Sequence, residues 1–106
     1  MTLENQDGRI SSFGRVELEA YVQKMIEDYD QFVTLSLPKE RYGIRFVQAC
    51  QIPDGITVQL GLEENDKTRL VEKTCSAGEC MDIFYEFFET GYVQKQEEYK
   101  PVEFMV

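Results

Sequence analysis

Ile56-Thr57-Val58-Gln59-Leu60-Gly61-Leu62 alternates apolar with polar or small residues at a period of two, so Ile56, Val58, Leu60 and Leu62 fall on one side of an extended chain. A strand with one apolar side needs a layer to bury it, and the flanking segments supply both neighbours and cover. On the N-terminal side, Pro53-Asp54-Gly55 has turn composition, with Pro presetting φ and Gly accepting a positive φ. It joins the strand to the run Tyr42 to Gln51 as an antiparallel pair. In that run Ile44 and Phe46 are expected to share one face and Val47 and Ala49 the other. Phe32-Val33-Thr34-Leu35-Ser36-Leu37 alternates again and is expected to end at Pro38, which has no N–H for a ladder. On the C-terminal side, Glu63-Glu64-Asn65-Asp66-Lys67 reads as a polar turn and Arg69 to Thr74 as a fourth strand.

Helical periodicity brackets these strands. Leu18, Tyr21, Val22, Met25, Ile26 and Tyr29 recur at three- and four-residue steps, which places them on one side of a helix from Val16 to Tyr29. Ser76-Ala77-Gly78-Glu79 has the form of a capping box opening a second helix. Its apolar side holds Cys80, Met81, Ile83, Phe84, Phe87 and Phe88, and Gly91 supplies a left-handed stop. Residues 1–14 read as a loose lead-in or short edge segment, and residues 92–106 as a tail whose Val102 and Phe104 suit an edge strand. The expected fold is one α+β domain over residues 1–106, in the order α-β-β-β-β-α. It has an antiparallel sheet of three to five strands with two helices packed on one face. The other face, carrying Thr34, Ser36, Thr57 and Gln59, is left to solvent or a partner.

The chain carries 11 Lys and Arg against 20 Asp and Glu, with no His, for a net charge of −9. That balance repels phosphate backbones and anionic lipid and attracts basic proteins, so no nucleic acid and no membrane partner is expected. Seven Phe and six Tyr permit a packed core. No stretch approaches the ~20 apolar residues of a membrane span, and the polar N-terminus lacks a signal-peptide pattern, which gives a cytoplasmic reading. Cys50, Cys75 and Cys80 show no CxxC spacing, so they read as reduced, inert packing residues rather than disulfides or zinc ligands. Without His there is no base to activate a thiol. Cys75 precedes a helix cap that would lower its pKa, while Glu79 and Asp82 would raise it. There is no phosphate-binding glycine loop, nucleophile elbow or calcium loop. No cofactor, metal or catalytic residue is therefore expected, and the chain reads as a non-enzyme.

One pattern remains. Glu79, Asp82, Glu86 and Glu89 lie within about 80° of one another on the second helix, and Lys and Arg are absent from Cys75 through Gln94. Like charges at these spacings oppose helix formation by ~0.2–0.5 kcal/mol per pair, and Glu89 stands at the unfavourable end of the helix dipole. A solubilising face explains part of this, and carboxylates are favoured in a first helical turn. The functional reading is a face that recognises a basic protein, with Glu97 and Glu98 extending it.

The layout of amphipathic helix, a meander containing Tyr42-Gly43-Ile44-Arg45-Phe46-Val47-Gln48 and Ile56-Thr57-Val58-Gln59-Leu60, and an acid- and Phe-rich helix resembles small acidic bacterial immunity proteins of polymorphic toxin systems. The resemblance covers residues 16–90 and rests on architecture, size and acidity. It implies stoichiometric inhibition of a basic toxin domain by occlusion of its cleft, with carboxylates standing in for phosphates if the toxin is a nuclease. The absence of Trp departs from several such families, and no residue role transfers by motif. A second class is a small acidic secretion-chaperone-like or adaptor protein, usually a homodimer, binding an extended client segment. Such chaperones usually place a helix inside the strand series, and none is expected between Phe32 and Thr74. An enzyme comes third, with Tyr85 beside the acidic stripe as its one notable pairing.

Overall fold

The computed structural model describes residues 1–102. Seven strands form one antiparallel sheet: β1 Thr2–Asn5, β2 Gly8–Ile10, β3 Phe32–Arg41, β4 Ile44–Ile52, β5 Gly55–Glu64, β6 Lys67–Cys75 and β7 Lys100–Pro101. Their order across the sheet is β2-β1-β3-β4-β5-β6-β7. Helix α1, Arg15–Glu27, connects β2 to β3, and α2, Ala77–Thr90, follows β6. The α+β class and both helices agree with the sequence reading, while the strand number exceeds the expected three to five. The additional strands are short and lie at the edges. Thr2–Asn5 and Gly8–Ile10 form a hairpin in which Asn5 Oδ1 accepts the Asp7 N–H at 2.8 Å, and β1 then pairs with β3. Three or four residues carry too little periodicity to be read as strands on their own. At the other edge β7 pairs with β6 through Val71 and Glu72. The expected strand residue Phe104 lies outside the described residues.

Register explains the core. Leu35, Val47, Leu60 and Val71 are successive partners across β3, β4, β5 and β6, so their side chains share one face, and all four are buried. Helix α1 lies against β1, β3 and β4, and α2 against β4 and β5. Leu18, Val22 and Met25 from α1, and Cys80, Phe84 and Phe87 from α2, are fully buried. Tyr29 and Val16, by contrast, are exposed at 58% and 75%, because α1 stops at Glu27 and its narrow apolar stripe turns them away from the sheet. The Gln51 side chain closes that helix end by donating to the carbonyls of Met25 and Ile26.

Two expectations on β3 and β4 are corrected. Pro38 does not end β3, which runs on to Arg41. It sits between Ser36 and Arg41, where the ladder with β4 slips, and beyond the stretch paired with β1, so its missing N–H costs no ladder bond. Arg45 Nε donates to Leu37 O at 2.7 Å in this irregular stretch. Ile44 and Phe46 do not share a face. Ile44 pairs with Leu62 and Phe46 with Gly61, leaving Arg45 as the extra residue of a bulge that reverses the alternation. Ile44 thereby joins Val47 and Ala49 in the core, and Phe46 goes to the uncovered face. Tyr42 and Gly43, expected inside a strand, instead form a turn with φ of 53° and 79°, the two positive values of a tight hairpin. Asn65 and Asp66, φ 52° and 65°, do the same between β5 and β6.

Candidate partner-binding surface

The two faces of the sheet differ in charge. Residues 15–30 and 76–98, which build the helix layer, hold eleven acidic residues and three basic ones. Eight of the chain's nine net negative charges therefore lie there, while the strands and their turns are almost neutral. Neither helix can spread its acids over both sides of the sheet, because each buries its apolar stripe against the same face.

The four stripe residues have unequal surroundings. Glu79 Oε2 lies 3.5 Å from Lys73 Nζ, which reaches across from β6 and also holds Glu98 at 3.0 Å. The Lys73 side chain is only 11% exposed. Burial pulls its pKa down, but the carboxylates of Glu98 and Glu79 outweigh burial and leave it raised. The same contact holds Glu98 below the usual carboxylate value. Ser76 accepts the Glu79 N–H at 3.2 Å, so half of the expected capping box is present, and the Glu79 carboxylate serves Lys73. Glu86 Oε1 accepts the Gln94 N–H at 3.0 Å, fastening the tail to α2. Glu89 pairs with Arg15 at 3.0 Å. Among the described residues no basic side chain reaches ion-pair distance of the exposed Asp82.

The Arg15 pairing shows how the helices are set. Its guanidinium lies 4.1 Å above the Tyr85 ring, and Tyr85 donates its hydroxyl to Glu19, which raises the Tyr85 pKa. The α1 start thus meets the α2 end, an antiparallel arrangement that offsets Glu89 at the wrong end of its dipole with a cation from the neighbouring helix. The stripe's partners Gln94 and Arg15 lie 8 and 74 positions from Glu86 and Glu89 along the chain, and Lys73 reaches Glu79 from another element, so the sequence of α2 alone does not show them. Tyr85 beside the stripe is therefore a tether between helices, with its hydroxyl and ring already engaged.

The uncovered face has another character. Gln48 Nε2 donates to Gln59 Oε1, and Gln59 Nε2 to Glu72 Oε1 at 3.0 Å, forming a polar rung across β4, β5 and β6. Phe46 and Leu70 flank it on one side, with the Phe46 ring packed over Gly61, where an added Cβ would meet ring carbon at 2.2 Å. Phe32, Cys50 and Thr57 flank the other side and line a shallow groove of about 240 Å³. No grouping of three or more metal-ligating side chains occurs among the described residues, and no described helix is long and apolar enough to cross a membrane. The chain matches no protein-family model, no curated protein and no solved structure.

One cluster was missed by sequence reasoning. Cys75 is the partner of Ile56 at the end of β6 and so points to the helix side, where Cys80 is fully buried. The neighbouring Cys80 thiol lowers the Cys75 pKa, with Lys73 adding to the effect against burial and Glu79, while Cys75 and burial raise that of Cys80. Tyr99, whose ring centre lies 4.9 Å from Lys73 Nζ, is buried at 6% exposure. Its buried hydroxyl has no hydrogen-bond partner, an omission worth roughly 1–3 kcal/mol. Burial and the nearby thiols and carboxylates raise its pKa. The thiols are five residues apart and the tyrosine arrives from the tail, so no short motif announces the group.

Proposed function

We propose that this protein is a non-catalytic acidic binding module that engages a basic protein through its helix layer, with Asp82 central and Glu79, Glu86 and Glu89 around it. The supporting observation is the segregation of charge: eleven acidic residues against three basic ones in the segments that build the helix layer. Such a surface steers a cationic partner during diffusion, and carboxylates already held by Lys73, Gln94 and Arg15 lose little freedom when it docks. Inhibition of a basic toxin domain, as implied by the resemblance to immunity proteins, is the form of binding that suits this surface. The experiment is capture from native lysate followed by stopped-flow association at two salt concentrations, using wild type and the Asp82→Lys/Glu86→Lys variant. We expect a basic partner whose association slows with salt, and in the variant a slower rate with a flatter salt slope. Equal rates and slopes would remove α2 from the interface.

The adaptor reading is favoured by one separate observation, the uncovered sheet face with Phe32, Phe46, Cys50 and Leu70 around a polar rung. It predicts that binding survives the α2 reversal and fails in Phe46→Ala. The uninterrupted series β3–β6, with no helix inside it, departs from the usual secretion-chaperone layout and ranks this reading second.

A further inference from the structure

We propose that the uncovered sheet face is the contact surface of a homodimer, in which two copies of this chain pack face to face about a two-fold axis and carry their acidic helix layers on the outside.

The strand registers lay this face out in rows. The middle row crosses all seven strands: Arg9 is the partner of Glu4, Glu4 of Thr34, Thr34 of Gln48, Gln48 of Gln59, Gln59 of Glu72 and Glu72 of Lys100. Its charges stand at the two ends, each acid opposite a base. One flanking row is Phe32, Cys50, Thr57 and Thr74, and the other is Ser36, Phe46, Gly61 and Leu70. The long strands β3–β6 thus present twelve residues in three rows, and Glu72 is the one charged group among them. In the whole chain 29% of residues are charged, and a solvated surface holds about 25–35%, so a free face of this size would carry about three charges. Thr and Gln suit a solvated strand. Half-exposed Phe32, Phe46 and Leu70 do not, and depletion of charge beside aromatic residues marks the centre of an interface. Gln48 donates to Gln59 and Gln59 to Glu72, so part of what these groups give up in water is supplied within the sheet.

Shape and charge select a second copy as the occupant. Gly61 lets the Phe46 ring lie over β5, and the groove beside Phe32 and Cys50 holds only about 240 Å³. Such a level face fits another sheet at the usual spacing of about 10 Å. Residues 15–30 and 76–98 carry eight of the nine net negative charges, so two copies repel through their helices and meet with least opposition through the nearly neutral sheet. Face-to-face packing separates the two helix layers by both sheets, beyond the Debye length of about 8 Å. A basic partner gains more at the helices, and an extended peptide would pair at a strand edge, where β2 and β7 already stand. Six strand spacings of about 4.8 Å and three rows about 7 Å deep give roughly 600 Å² per copy, or about 1,200 Å² in the pair, the lower end for a specific interface. Association is therefore reversible, and the single chain prevails at low micromolar concentration. The dimer forms independently of any partner on α2.

The test is sedimentation velocity on the wild-type chain from about 5 to about 500 µM. The mass is expected to rise from that of one chain toward that of two, and a single-chain mass at the highest concentration would overturn the proposal. Cys50 locates the contact, because it is exposed on this face, whereas Cys75 points to the helix side. Labelling of Cys50 by N-ethylmaleimide, read by tryptic mapping, should slow severalfold over the same range while Cys75 is labelled at a constant rate. Dimerisation that leaves Cys50 unprotected would place the contact elsewhere and defeat the assignment. Thr57→Glu introduces two carboxylates into the contact by symmetry. That variant, shown to be folded by circular dichroism, should stay a single chain throughout, whereas Asp82→Lys on the helix layer should dimerise like the wild type. A folded Thr57→Glu variant that still dimerises, or loss of the dimer in Asp82→Lys, would refute the sheet-face arrangement.

Discussion

The helix-covered and uncovered faces of the sheet are built from alternate residues of the same strands, yet they carry opposite physical duties. On the covered face Leu35, Val47, Val58 and Leu60 are buried beneath Phe84, Phe87, Leu18 and Met25. That face holds the fold together, and the outer surface of its helices carries the charge. The uncovered face is close to neutral and only partly apolar. Stability and long-range electrostatics therefore reside on one side, and a short-range, hydrogen-bonding surface lies on the other. A partner attracted by charge approaches the helices, whereas one selected by close packing would have to use the sheet.

The largest expected effect that tests this contrast is truncation of an aromatic on each side. Phe87→Ala should destabilise by ~3–5 kcal/mol, because a fully buried ring leaves a cavity, and Phe32→Ala on the uncovered face by about 1 kcal/mol. Urea denaturation of both variants measures the difference; equal midpoints would mean that the second face is covered in solution. Next, Gly61→Ala places a methyl where the Phe46 ring lies. On a packed face this would cost ~1–3 kcal/mol. Here the ring can swing toward solvent, so a loss of about 1 kcal/mol is expected. The double variant Gly61→Ala/Phe46→Ala should be more stable than the sum of the two single changes predicts.

The smallest effect concerns the polar fastening of the helix layer. Lys73→Gln should lower Tm at neutral pH by about 2–5 °C, since one ammonium holds both Glu79 and Glu98. The Glu98 pKa is depressed in the folded protein. Its contribution is therefore present above the unfolded value near 4.5 and is lost as pH falls through the lower folded value. The Lys73 pKa is raised, so its share is complete below the unfolded value of 10.5 and is lost as pH rises through the higher folded value. Thermal melts of wild type and Lys73→Gln should converge at both extremes. A constant gap across pH would assign the effect to packing by the lysine stem instead.

Much of the fold was legible because its central elements are long enough to show their periods. Ile56 to Leu62 alternates cleanly and does have its four apolar residues buried, and Ser76 and Gly91 do bound α2. Local chemistry sets such features: alternation follows from the pleat, and caps satisfy the free groups of a helix end. The bulge at Arg45, the strands of two to four residues and the continuation through Pro38 were not legible. Each depends on what a neighbouring strand offers at that point, and register is a property of the pair.

The candidate surface divides in the same way. Sequence by itself determined the net charge, the amphipathic helices and the clustering of Glu79, Asp82, Glu86 and Glu89 along one side of α2, since these follow from composition and a fixed advance per residue. Only the tertiary structure decided that Lys73, Gln94 and Arg15 engage three of those four, that both helices gather the chain's charge on one side, and that Cys75 and Cys80 face the same interior. Such pairings join residues distant in the chain or aim them into a common interior. Helical periodicity and strand alternation report which side a residue takes within its own element, and packing between elements selects what it meets there.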